Sequence, residues 1–175
     1  MKNLLLAILL LTFYFSPKAQ KMNNNENLSQ RIQAIEDRIA LKNLVDTFSV
    51  LADVKDVDKQ VLLFTENASV VSMRNGQEGN ALTGRKQIGD AFAAFLKNFD
   101  VVYHINGQQT LTLNGDKAKG VSYCLVTLIG TDNGKRMKTT MGVYYHDDYV
   151  KQNGRWLITK RQSNFTWTDR RELGQ

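Results

Sequence analysis

The chain has 175 residues, of which 42% are apolar and 23% charged, and it carries a formal net charge of +6. This is one domain's worth of sequence, enough for a continuous core without disulfide staples. The composition excludes collagen-like, coiled-coil and wholly disordered classes, and the basic residues are scattered rather than striped among aromatics, which argues against a nucleic-acid partner.

The first residues stand apart. Met1-Lys2-Asn3 supplies a positive charge, Leu4–Phe15 is apolar except for Thr12, and Ser16-Pro17-Lys18-Ala19 leads into a polar run from Gln20 to Asn27. This order predicts a secretory signal peptide over residues 1–19, cleaved near Ala19, and a secreted or periplasmic mature chain. The apolar stretch is shorter than the roughly 20 residues of a permanent span, so no stable membrane anchor is expected after cleavage. Loss of Lys2 and Lys18 lowers the net charge from +6 to +4. A polar spacer is predicted over 20–29, a folded domain over 30–168 and a tail over 169–175.

From Leu28 to Ala52 the apolar residues Ile32, Ile35, Ile39, Leu41, Leu44, Val45, Phe48 and Leu51 follow the spacing of an amphipathic helix. The stripe shifts phase near Leu41, which allows a bend or two short helices. A second short helix is expected over Val57–Phe64 with Asp56 as N-cap. Ala68–Met73 reads as a strand and Arg74–Gly79 as a loop. Ala81–Thr83 reads as a further short strand and Arg85–Phe99 as a third helix.

After Asp100 the pattern changes to period-two alternation rich in Val, Thr and Tyr. Four strands are expected, over 101–113, 117–129, 136–150 and 156–167. They are separated by Asn114-Gly115-Asp116, Asp132-Asn133-Gly134 and Gln152-Asn153-Gly154, which are hairpin turn signals. Three helices packed on a curved antiparallel meander give an α+β cone.

This order of elements resembles the SnoaL-like branch of the nuclear transport factor 2-like superfamily, and local sequence resembles it as well. The relevant pieces are Asp37–Val45 followed by Phe48 and Asp53, Phe64-Thr65-Glu66-Asn67-Ala68, Gly84-Arg85-Lys86-Gln87-Ile88, His104-Ile105-Asn106-Gly107, and Asp148 to Trp156 with Gly154. The resemblance spans about residues 30 to 165. It implies a cystatin-like α+β barrel whose sheet curls around a pocket, and relatives that include scytalone dehydratase, bile-acid dehydratases, polyketide cyclases and steroid isomerases. Fold alone does not fix function.

The resemblance implies a catalytic pair, Asp53 and His104. An imidazole that titrates near neutrality can take a proton from carbon or deliver one to oxygen, and a neighbouring carboxylate would orient it and raise its pKa. Strand parity puts Val102, His104 and Asn106 on one face. With Phe48, Val71, Met73 and Trp167, Val102 and Asn106 are the expected pocket wall. Ala52, Ser72 and Met73 stand where dehydratases carry tyrosines, and His146, beside Tyr145, Asp147 and Asp148, reads as surface at a strand end. Cys124, the single cysteine, reads as a buried small hydrophobe. Two histidines and one cysteine show no metal-ligand spacing, and no phosphate loop or Ser-hydrolase elbow is present, so neither a cofactor nor a metal is expected. The expectations are therefore a cofactor-free lyase or isomerase for a small apolar or polycyclic ligand, or a noncatalytic binding module of the cell envelope. Either is compatible with a homodimer formed through the sheet.

Overall fold

The computed structural model describes residues 17–174, with side chains from residue 27. Most of the expected signal peptide, residues 1–16, lies outside the described residues. The described residues fall into two compact units, one ending at Glu36 and the other beginning at Asp37. The described part of the first unit is helical. The second unit holds the sheet and the remaining elements.

Helix α1 spans Pro17–Asp53, α2 spans Val57–Gln60 and continues as a 3-10 turn over Val61–Leu63, and α3 spans Gly84–Leu96. The α1 helix is uninterrupted, so the polar stretch expected as a spacer belongs to it. The phase shift near Leu41 marks a change of face within one helix rather than a break between two. Ile32, Ile35 and Ile39 are exposed, whereas Leu41, Leu44, Val45 and Phe48 are buried. Asp56 caps α2 as expected, accepting the Lys59 N–H at 3.2 Å.

The strands are β1 (Phe64–Arg74), β2 (Gln77–Glu78), β3 (Leu82–Thr83), β4 (Val101–Asn114), β5 (Lys117–Asp132), β6 (Lys135–Gln152) and β7 (Arg155–Glu172). They form one sheet in the order β2-β1-β7-β6-β5-β4, with β3 also on β1. The long strands are antiparallel, as their turns require. Asn133-Gly134 and Asn153-Gly154 both take positive φ at the two central positions, the backbone of a tight hairpin turn. The sheet is mixed rather than wholly antiparallel, because β1 lies parallel to β7. No tight turn joins these two strands, so nothing forces them to run in opposite directions. The expected loop after β1 is a hairpin: Asn75-Gly76 has the same paired positive φ, with Arg74 opposite Gln77. Strand β7 runs on to Glu172, into the segment expected as a tail.

Two irregularities shape β7. The β6–β7 register slips between Asp148 and Tyr149 and again between Gly142 and Val143, leaving Thr159 and Thr166 as extra residues. Each threonine hydroxyl closes its bulge by donating to a β6 carbonyl, Thr159 to Asp148 O at 3.0 Å and Thr166 to Gly142 O at 2.8 Å. A bulge reverses which face the following side chains occupy. Ile158 and Arg161 therefore both point inward, and Phe165 and Trp167 take opposite faces.

The core has two clusters. One gathers Leu41, Val45, Phe48, Phe64, Ile88 and Ile158. The other gathers Ala52, Leu96, Val126, Leu128, Met141 and Tyr145 around Cys124, which is buried as expected. Phe48 makes edge-to-face contacts with Phe64, Phe92 and Tyr145 at centroid distances of 6.0, 5.9 and 6.2 Å. Such pairs each add about 0.5–1.5 kcal/mol beyond area burial.

Candidate active site

Asp53 is the last residue of α1, and His104 lies inward on β4. A carboxylate is disfavoured at a helix C-terminus. Two hydrogen bonds offset this. Asp53 Oδ1 lies 2.6 Å from His104 Nδ1, and Oδ2 accepts the His104 backbone N–H at 3.3 Å. The carboxylate thus fixes both ring and strand. With a carboxylate on Nδ1, the neutral ring carries its proton there and leaves Nε2 as an acceptor.

The His104 side chain is only 9% exposed. Burial pushes its pKa below the usual histidine value. The Asp53 hydrogen bond and charge oppose this shift, and the Arg161 charge adds to it. The sequence implied a raised pKa. The carboxylate does act in that direction, but desolvation of the cation outweighs it.

His104 opens onto a cavity of about 270 Å³. Its wall is drawn from both core clusters: Phe48 and Val70 from one, Ala52, Val126, Met141 and Tyr145 from the other. Helix α3 adds Phe92, Phe95 and Leu96, and Ser72, Ser163, Gln60 and Arg161 supply polar atoms. This is the composition of a small-molecule site, apolar walls with few convergent polar groups.

Arg161 was not read from the sequence. It is 1% exposed. Its Nε donates to Asp147 Oδ1 at 2.8 Å and its Nη2 to Asp147 Oδ2 at 2.6 Å. Tyr149 Oη donates to the same carboxylate at 2.9 Å. The guanidinium carbon sits 4.1 Å from the Phe48 ring centroid and 4.2 Å from that of Tyr145. Burial alone would lower the guanidinium pKa, but the charge of Asp147 and the bonds to it hold it above its ordinary value. Asp147, expected at an exposed strand end, is therefore a core residue. His146 beside it is exposed, as expected. Burial keeps the Tyr145 hydroxyl protonated well above the usual tyrosine range and pushes the Cys124 thiol up to about 11, so neither is an anionic nucleophile near neutrality.

The expected wall residues divide. Phe48 lines the cavity with His104. Val71 and Met73 do not, because the cavity face of β1 is that of Val70, Ser72 and Arg74. Val102 is buried in the second core cluster. Asn106 ties β4 to α1, accepting from Ser49 Oγ at 3.0 Å and donating to Val45 O at 3.2 Å and Asp46 Oδ1 at 3.0 Å. Trp167 is on the opposite face of the sheet, beside Gly142, as a result of the Thr166 bulge.

The profile of the SnoaL-like domain matches residues 33–162. The chain belongs to the SnoaL-like domain family. No curated protein matches the sequence. Among solved structures, this SnoaL-like domain is similar to a scytalone dehydratase-like protein from Novosphingobium aromaticivorans, at 20% identity and a TM-score of 0.70, covering 83% of this chain and 93% of that one. It is also similar to hexachlorocyclohexane dehydrochlorinase LinA-type3 from Novosphingobium barchaimii, at 13% identity and a TM-score of 0.69, covering 81% and 94%. A third is an NTF2-like protein with a cystatin-like fold from Novosphingobium aromaticivorans, at 18% identity and a TM-score of 0.58, covering 81% and 89%. At these identities the likeness is one of fold, and the SnoaL-like, cystatin-like α+β architecture is common to all.

Proposed function

We propose that this SnoaL-like domain is a cofactor-free lyase or isomerase in which His104 removes a proton from a carbon of a small, largely apolar substrate. The observation that carries this reading is the 2.6 Å contact between Asp53 and His104 at the wall of a largely apolar cavity. Asp53 presents Nε2 unprotonated to the cavity and stabilises the imidazolium formed on proton transfer, a positioning role. The buried guanidinium of Arg161 faces the same space and favours negative charge developing on the substrate. Loss of a leaving group completes an elimination, and return of the proton to a second carbon completes an isomerisation.

Turnover of a panel of small carbon acids and β-substituted ketones tests this. His104→Gln is expected to lower turnover by about 10²–10⁴-fold. A variant with unchanged turnover rules out His104 as the base.

Two further expectations belong to this reading. The Leu4–Phe15 leader supports export to the cell envelope, which amino-terminal sequencing of the mature protein tests. The face of the sheet opposite the cavity exposes Tyr103, Ile105, Tyr123, Leu125 and Trp167, a continuous apolar surface suited to self-association. A Tyr123→Glu variant sedimenting as a smaller species than the parent supports it, and identical sedimentation of the two as monomers refutes it.

A further inference from the structure

Among the described residues, two buried side-chain polar atoms have no hydrogen-bond partner: Gln60 Oε1 and Arg161 Nη1. Both residues are 1% exposed, and both line the cavity that holds His104. An unsatisfied buried polar atom is costly, so such atoms are rare and call for an explanation. Here one is an acceptor and the other a donor.

The orientation of each is fixed. Gln60 Nε2 donates to the Phe48 carbonyl at 3.0 Å. A carbonyl can only accept, so the amide cannot be turned around and Oε1 is the atom left over. Arg161 spends Nε and Nη2 on Asp147 and is held between the Phe48 and Tyr145 rings, which leaves Nη1. Both groups are anchored on Phe48, Gln60 through its carbonyl and Arg161 through its ring. The acceptor and the donor are therefore set in advance, before any ligand enters.

We infer that the cavity takes an oxygenated ligand, one with a hydroxyl or amine that donates to Gln60 Oε1 and a carbonyl or carboxylate oxygen that accepts from Arg161 Nη1, and that Gln60 is a specificity-determining residue. A purely hydrocarbon or halogenated molecule would leave both atoms unpaired and be disfavoured for that reason. The volume, equivalent to roughly nine waters at liquid density, suits one ring with short substituents. This inference rests on the cavity being the ligand site of the proposed function. It does not require His104 to act as a base.

The test uses acetophenone and its ortho, meta and para hydroxy derivatives, titrated against the mature protein and followed by amide chemical shifts. At least one hydroxy isomer is expected to bind roughly ten- to a hundredfold more tightly than acetophenone. In Gln60→Met, which lacks the amide oxygen, the ratio of hydroxy-isomer to acetophenone affinity should collapse to about one. Equal affinity of all four ketones for the parent protein, or no binding of any, overturns the proposal; the two atoms are then satisfied by water. A preference that survives in Gln60→Met assigns the hydroxyl to another group, such as His104 Nε2, and also overturns it. Failure of the catalytic reading looks different: the binding preference stands, and His104→Gln leaves turnover unaffected.

Discussion

Asp53 holds His104 by two bonds at once, 2.6 Å from the ring Nδ1 and 3.3 Å from the backbone nitrogen. One carboxylate at the end of α1 thereby fixes the tautomer of the imidazole and the position of the strand that carries it. The arrangement leaves one ring nitrogen free on the cavity side, and it works only while the imidazole is neutral at rest.

Replacing Asp53 by Asn keeps one acceptor, for the ring Nδ1–H, but removes the charge that stabilises the imidazolium and the second oxygen that accepts the His104 backbone N–H. Turnover of any accepted substrate should fall by about 10²–10⁴-fold. The helix end is relieved of a disfavoured charge, so the melting temperature should change by only a few degrees. Steady-state kinetics and thermal melting of Asp53→Asn check this. Full retained activity would remove Asp53 from the mechanism.

The lowered His104 pKa sets the pH dependence. The base must be unprotonated, so kcat/KM should rise with pH through a midpoint below 6.5, the ordinary histidine value. Stability has the matching sign. The unfolded chain takes up the imidazole proton at a higher pH than the native one. The contribution of neutral His104 is therefore complete above 6.5 and lost as pH falls toward the native pKa. Urea unfolding of the parent and His104→Gln across this window should show the parent losing its advantage on the acid side.

Asp147 and Arg161 form a buried pair with side-chain exposures of 0% and 1%. Asp147→Asn leaves the guanidinium buried without its counter-charge and should cost about 3–5 kcal/mol in chemical denaturation. The double variant Asp147→Leu, Arg161→Met removes both charges and should cost less than the single one. A double variant as unstable as the sum of Asp147→Leu and Arg161→Met alone would contradict the pairing.

Gly142 permits a close approach. A Cβ built there would lie 2.1 Å from Trp167 Nε1, so the indole rests on bare backbone. Gly142→Ala should displace Trp167 into solvent, red-shift its fluorescence and cost about 1–3 kcal/mol. Ligand affinity should be unchanged, because Trp167 is on the face away from the cavity. An unshifted spectrum would count against this packing.

Much of this fold was legible because its signals are local. Asn133-Gly134 and Asn153-Gly154 mark their hairpins without help from tertiary structure, and period-two alternation put His104 on the inward face of its strand. The Asp53–His104 pair came from the family resemblance, since residues on separate elements share no local signal. Arg161 was missed and Trp167 misplaced for one physical reason: the bulges at Thr159 and Thr166 reverse the side-chain parity along β7. The alternation Met141, Val143, Tyr145, Asp147, Tyr149 did hold a usable clue. It continues the buried face through Asp147, and a buried carboxylate calls for a buried cation. The direction of the His104 pKa could not be read either, because it depends on how far burial outweighs a neighbouring charge.

The most direct test is the titration of His104 by nitrogen-15 NMR in the mature protein and in Asp53→Asn, with the two histidines distinguished by a His146→Gln variant. The Nδ1-protonated tautomer is expected at neutral pH, with a pKa below 6.5. In Asp53→Asn the pKa should fall further, because the charge that favours the imidazolium is gone. A pKa above 6.5, an Nε2-protonated ring, or a titration indifferent to Asp53 would contradict this reading.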